Sequence, residues 1–191
     1  MNTIKLEGNW KIGWALGLHT ISSVLLPDGS FHTERSPIGE KLYQLKYCFD
    51  KNQTNAIVDD LKDFMDSRLV TPYLSTIIPV PPSDETREFQ PVYELARELG
   101  KRIDLPVIDS YIVKLKSTEQ LKSVDDPEER KNILKGAFGV KDQSLQGKKV
   151  LLFDDLFRSG STLRELTNVL YKKGLVQNVY VLTVTKTRVK K

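Results

Sequence analysis

A chain of 191 residues is long enough for one well-cored domain with a small appendage and too short for two large domains. With 39% hydrophobic and 28% charged residues it falls among ordinary globular proteins, which sets aside disordered and fibrous classes. The net charge of +4 is modest and the basic residues are spread out except in the tail KTRVKK, so an anionic small molecule suits the chain at least as well as nucleic acid.

No apolar run approaches the roughly 18 residues that a membrane span requires, and the opening MNTIKLEGNWKIG lacks the basic-then-apolar order of a signal peptide. A cytoplasmic protein without a membrane partner is expected. Cys48 is the sole cysteine, which leaves no intramolecular disulfide and no cysteine cluster for zinc. A buried, inert thiol is expected there. His19 and His32 share no metal-ligand spacing and read as structural or exposed residues.

Along the chain, residues 1–70 open with IGWALGLHTISSVLL and the turn signal Pro27, Asp28, Gly29, which predict a hairpin or short meander. Ser36 and Pro37 suit an N-cap and first helical position, and Ile38, Leu42, Leu45 and Phe49 then recur at helical spacing. Ile57, Leu61, Phe64 and Met65 form a second stripe. After Pro72, LSTIIPV reads as a short buried strand, and a boundary is placed near residue 70, separating 1–70 from 71–191. Beyond it the pattern predicts strand 75–80, helix 90–103, strand near 106–115, a polar stretch, strand near 136–140, strand 149–153, helix 161–173 and strand 178–186. Such alternation predicts an α/β fold with a largely parallel central sheet and flanking helices.

The chemistry concentrates in VLLFDDLFRSGSTLREL, where an apolar strand ends in Asp154 and Asp155, passes Ser159, Gly160, Ser161 and Thr162, and enters an amphipathic helix. Ligands of open parallel sheets sit beyond the carboxyl ends of the strands, where paired acids can accept hydrogen bonds from vicinal sugar hydroxyls. Gly160 lets backbone approach a ligand, and the N–H groups of a helix start suit a phosphate. A ribose carrying a 5-phosphate fits both halves. Thr162 and Glu165 also spell a T-x-x-E capping box, so a plain strand-to-helix turn is the structural alternative. No Lys stands where a Walker loop needs one, and the three glycines of a dinucleotide fingerprint are missing.

DDLFRSGST resembles the phosphoribosyl-pyrophosphate signature of type I phosphoribosyltransferases. IIPVPPSDETREFQPVYELARELG is similar to the pyrophosphate-loop strand and helix of the ComF-like branch, and STEQLKSVDDPEERKNILKGAFGV to its flexible loop and return strand. The three lie in the expected order across about residues 70–190. The resemblance implies a type I phosphoribosyltransferase fold with a small N-terminal hood, 1–70, on the acceptor side of a core, 71–191.

It also implies roles. Asp154 and Asp155 would bind the ribose hydroxyls, and Arg158, Ser159, Gly160, Ser161 and Thr162 the 5-phosphate. Position 158 usually carries a small hydroxyl residue, so Arg158 either adds a charged phosphate contact or turns to solvent. Pro82, Ser83 and Asp84 would hold pyrophosphate, with Arg87 facing it, although Glu88, Gln90 and Pro91 depart from the branch pattern. The polar stretch 117–130 matches a loop that closes over substrate, with Lys114, and more weakly Lys116, at its base to neutralise diphosphate. Arg35, Lys46 and Tyr47 match the hood helix, where surface charge and core packing are equally good readings. The implied substrate is 5-phosphoribosyl-1-pyrophosphate (PRPP), with Mg2+ held by substrate and water rather than by direct protein ligands, and the acceptor is an unidentified nitrogen nucleophile. The alternative is a non-catalytic regulator that binds PRPP or a nucleotide, with an association with DNA uptake or processing as one form of it. No motif independently supports nucleic-acid binding, and a homodimer is left open.

Overall fold

The computed structural model of the chain describes residues 3–83, 87–116, 124 and 126–188. Among the described residues the strands and α-helices follow in the order β1 (Ile4–Lys5), β2 (Ile12–Leu18), β3 (Thr20–Leu25), β4 (Phe31–Arg35), α1 (Pro37–Tyr47), α2 (Gln53–Asp66), β5 (Thr76–Pro79), α3 (Pro91–Arg102), β6 (Ile112–Lys114), α4 (Pro127–Leu134), β7 (Phe138–Val140), β8 (Lys149–Phe157), α5 (Ser161–Lys172) and β9 (Asn178–Lys186). The central sheet has the order β1-β2-β9-β8-β5, parallel throughout except for the antiparallel β1 edge. An α/β fold with a largely parallel sheet is therefore what the chain adopts.

Successive residues of a strand face opposite sides, and β8 and β9 use this to bury both faces of the sheet. Val150, Leu152, Val179 and Val181 pack with Leu163, Leu166 and Leu170 of α5. Leu151, Phe153, Tyr180 and Leu182 pack instead with Leu42, Leu61, Leu95 and Leu99 from α1, α2 and α3. The apolar stripes of the helices thus select the face each one covers.

This arrangement places a topological switch point between β5 and β8. From β5 the chain crosses through α3 on one face and returns at Val107, which bridges Ile77 on the outer side. From β8 it crosses through α5 on the other face and returns as β9 on the inner side. The two connections diverge, and a crevice opens beyond the carboxyl ends of β5 and β8.

The sheet also runs across residue 70, because β2 pairs in parallel with β9 from Ile12↔Tyr180 to Leu18↔Lys186. Beyond its end, β3 and β4 form a separate hairpin around the turn of Pro27, Asp28 and Gly29. The α1 start is capped as its sequence suggests: Ser36 Oγ accepts from Gly39 N at 3.0 Å, and Pro37 occupies the first turn. That helix stops at Tyr47. Phe49 adopts φ +57° and is exposed, so it leaves the expected stripe, and Cys48 is exposed rather than buried because it lies just past the helix end.

Two further expectations change. The strand near 106–115 is split, with a bridge at Val107 on the main sheet and β6 paired with β7 in a separate ribbon. Helix α4 stands where polar loop was expected; Asp126 Oδ1 accepts from Glu129 N at 2.7 Å at its start. Its apolar content is too thin to register as a helical stripe.

Candidate functional site

Strand β8 runs on to Phe157, so both acids lie inside a strand rather than at its end. The last register pair with β5 is Pro79↔Phe153, followed by a bond from Val80 N to Phe153 O at 2.8 Å, whereas pairing with β9 continues to Phe157↔Lys186. The acids therefore stand where β8 has lost one neighbour, beside the crevice. Being adjacent in a strand, their side chains leave from opposite faces.

Asp155 turns to the α1 side and is buried, with Lys46 Nζ 2.6 Å from its Oδ2. Burial works against the Lys46 ammonium, but the charge and hydrogen bond of Asp155 outweigh it and hold Lys46 above the usual lysine range. Among the described residues no cation is paired with Asp154. Burial first, and the Asp155 charge second, push its carboxyl up to about 8, against a smaller opposing effect of the Asp155 N–H that it accepts at 2.9 Å. The pair is thus divided into one acid matched by a lysine and one whose carboxyl is biased toward its protonated form.

The next strand supports this edge. Thr185 Oγ1 donates to Asp155 O at 3.4 Å and lies 3.3 Å from His19 Nδ1. His19, remote from the acids in sequence, is thereby held against the strand beside them. Burial, followed by the charges of Lys46 and Arg35, lowers its pKa. Arg35 is held 3.5 Å over the Tyr43 ring and 3.4 Å from Glu40, while Tyr47 is exposed beside Lys46.

After β8 the chain turns through Arg158, Ser159 and Gly160 into α5. Gly160 has φ +76°, and a Cβ there would lie 2.6 Å from the Phe157 ring, so a side chain is opposed by both backbone and packing. The hydroxyls of Ser159 and Ser161 are 2.9 Å apart. The helix begins at Ser161 with Gly160 at the N-cap and no side-chain cap, so the T-x-x-E box does not form: Thr162 lies two residues past the N-cap position. The first-turn N–H groups keep their capacity to receive an anion. Arg158 is exposed.

Across the crevice, Lys114 Nζ lies 3.5 Å from Ser83 O, which joins β6 to the loop after β5. Pro82 and Ser83 follow that strand, and Arg87 is exposed ahead of α3. Asp84 and most of 117–130 lie outside the described residues. Lys116 instead donates to Lys135 O at 3.4 Å, on the α4 side. Among the described residues no group of three His, Cys, Asp or Glu is placed to hold a metal, and no helix is long and apolar enough to cross a membrane.

A contact absent from the sequence reading is made by Arg164, whose Nη1 and Nη2 donate to Ser159 O at 2.7 Å and Glu7 O at 3.0 Å. The available signal was a cation in the first turn of a helix, where the macrodipole disfavours it.

Known structures share this fold. The solved glutamine phosphoribosylpyrophosphate amidotransferase from B. subtilis, complexed with ADP and GMP, aligns over 84% of this chain and 35% of its own, with 15% identity and a TM-score of 0.50. The fold is that of the type I phosphoribosyltransferases. In sequence the chain is similar to competence protein ComFC of Bacillus subtilis, 27% identical over 168 residues. It is also similar to competence protein F of Haemophilus influenzae, 30% identical over 83 residues. These alignments cover 85% and 42% of this chain, and it spans 65% and 36% of those relatives' lengths. No family model matches the chain.

Proposed function

We propose that the chain binds PRPP and transfers its ribosyl phosphate to a nitrogen acceptor with release of pyrophosphate. What supports this most is the continuity along β8 of two acids at an opened sheet edge, a glycine turn with φ +76° and the uncapped start of α5. A ribose laid beyond β8 meets the acids with its 2- and 3-hydroxyls and reaches Ser159, Gly160, Ser161 and Thr162 with its 5-phosphate. Pro82, Ser83, Asp84 and Arg87 would line the diphosphate, with Lys114 bringing positive charge from β6. The acceptor would approach from the side of α1 and the β3–β4 hairpin, which makes residues 1–70 the acceptor side in function although β2 belongs to the common sheet.

In the reaction, the nitrogen lone pair forms a bond to ribose C1 while the C1–oxygen bond to pyrophosphate breaks, its electron pair leaving with the diphosphate. The chain's residues position and stabilise: cationic and backbone donors meet the charge growing on the leaving group. Asp155, matched by Lys46, and Asp154, whose carboxyl is biased toward its protonated form, would offer hydrogen bonds to the sugar hydroxyls. The donor set fits Mg2+ only as a substrate-borne ion, because the two acids face apart and one is occupied by Lys46. When bound, such an ion would neutralise diphosphate charge.

The same cradle would serve a sensor that binds PRPP without turnover, a reading favoured by Lys46 already engaging Asp155. Calorimetric titration with PRPP and magnesium, followed by pyrophosphate release against a panel of bases and amines, separates the two. Release with an acceptor establishes the transferase, whereas binding without release from any acceptor establishes the sensor. Failure to bind either PRPP or ribose 5-phosphate would sink both.

A further inference from the structure

We infer that Arg164 is a positioning residue that aims the phosphate-binding turn, by tying it to the N-terminal segment that wraps the outside of α5. The inference rests on the reading of 158–162 as a phosphate site. Its basis is that one guanidinium joins two carbonyls 152 positions apart, Ser159 O at 2.7 Å and Glu7 O at 3.0 Å, while lying 5.8 Å over the Trp10 ring. Arginine's planar fork can satisfy both carbonyls at once, which a lysine ammonium on a flexible stem does less well.

The consequence follows from the peptide plane. In a trans peptide the C=O and the next N–H point in opposite directions. Holding Ser159 O against Arg164 therefore turns the Gly160 N–H away from the guanidinium. Gly160 itself is pinned, since a Cβ there would meet Phe157 at 2.6 Å and Arg164 Nη1 at 3.0 Å. Phe157 in turn meets the edge of buried Trp10, with ring centroids 6.2 Å apart and planes at 88°. Behind these groups the N-terminal segment is fixed independently: Asn9 Nδ2 donates to Arg164 O at 3.0 Å and to Asn168 Oδ1 at 2.8 Å, and Trp10 Nε1 to Leu6 O at 2.9 Å. The turn is thus braced from outside the site, by a residue whose own charge is spent on carbonyls rather than ligand.

The test is isothermal titration of ribose 5-phosphate, and separately of pyrophosphate, into the full chain and its Arg164→Ala and Arg164→Lys variants, with thermal melts alongside. Arg164→Ala should weaken ribose 5-phosphate about tenfold and leave pyrophosphate within twofold, with Arg164→Lys intermediate. A purely structural role would lower the melting temperature while leaving both affinities unchanged in the folded protein, and that result overturns the inference. If Arg164→Ala does not fold, Arg164→Lys carries the test: unchanged affinity for ribose 5-phosphate refutes it. If the unaltered chain binds no ribose 5-phosphate, the phosphate-site reading falls and the inference with it, a failure distinct from equal binding by chain and variant.

Discussion

Lys46→Met probes the centre of the candidate site. Methionine keeps most of the stem's volume and removes the ammonium 2.6 Å from Asp155, whose side chain is only 10% exposed. Removing one member of a buried ion pair costs about 3–5 kcal/mol, because the remaining charge is left desolvated and unmatched. Lys46 retains some solvent contact, at 17% side-chain exposure, so the lower end, about 3 kcal/mol, is expected. For a chain of this size that corresponds to a fall of roughly 6–12 °C in Tm. Urea unfolding at pH 7 measures the loss, and the cycle with Asp155→Asn and the double variant isolates the pair. The double variant should recover at least about 2 kcal/mol relative to the sum of the single losses, since neither partner is then stranded. A loss below about 1 kcal/mol for Lys46→Met, or simple additivity in the cycle, refutes the claim that these groups sustain one another.

Asp154→Asn tests the other acid. Its carboxyl is pushed up to about 8, above the usual carboxylate range, so the stability due to its proton is complete below about pH 4 and is lost as pH rises through 8. The variant, neutral throughout, should gain on the unaltered chain across that window, by an amount on the order of 5 kcal/mol at most and less because Asp155 and Lys46 titrate with it. Urea unfolding at pH 4.5 and 8 that shows no widening difference would count against the reading. His19 behaves oppositely: with its pKa lowered by burial, its contribution is present above the ordinary value of 6.5 and lost as pH falls through the folded value. His19→Gln should therefore lose less stability than the unaltered chain between pH 7.5 and 5, as read by Tm. Gly160→Val, at φ +76° and facing Phe157, should cost about 2–3 kcal/mol and weaken ribose 5-phosphate more than tenfold. Calorimetry on the folded variant checks the second effect.

Local pattern determined much of this protein. Helix α1 begins at Ser36 and Pro37 because capping is a short-range event, and β9 spans 178–186 as its apolar run indicates. The acids, Gly160 and the α5 start were visible together because they are contiguous, and a strand, turn and helix start are built from neighbouring residues. Tertiary structure decided what contiguity could not convey. That Lys46 from α1 meets Asp155, that His19 reaches Thr185, and that β2 completes the sheet begun after residue 70 all depend on contacts between distant segments. The division of the acid pair is of the same kind: Asp154 and Asp155 are equivalent as letters, and the opposite faces of β8 give one a lysine and leave the other with a carboxyl raised by burial and its neighbour's charge. Arg164 was likewise readable only as an ill-placed cation until folding brought Glu7 and Ser159 to its two ends. Hydrogen bonding and burial depend on which groups meet in space, and spacing along the chain specifies that only within an element or one turn beyond it.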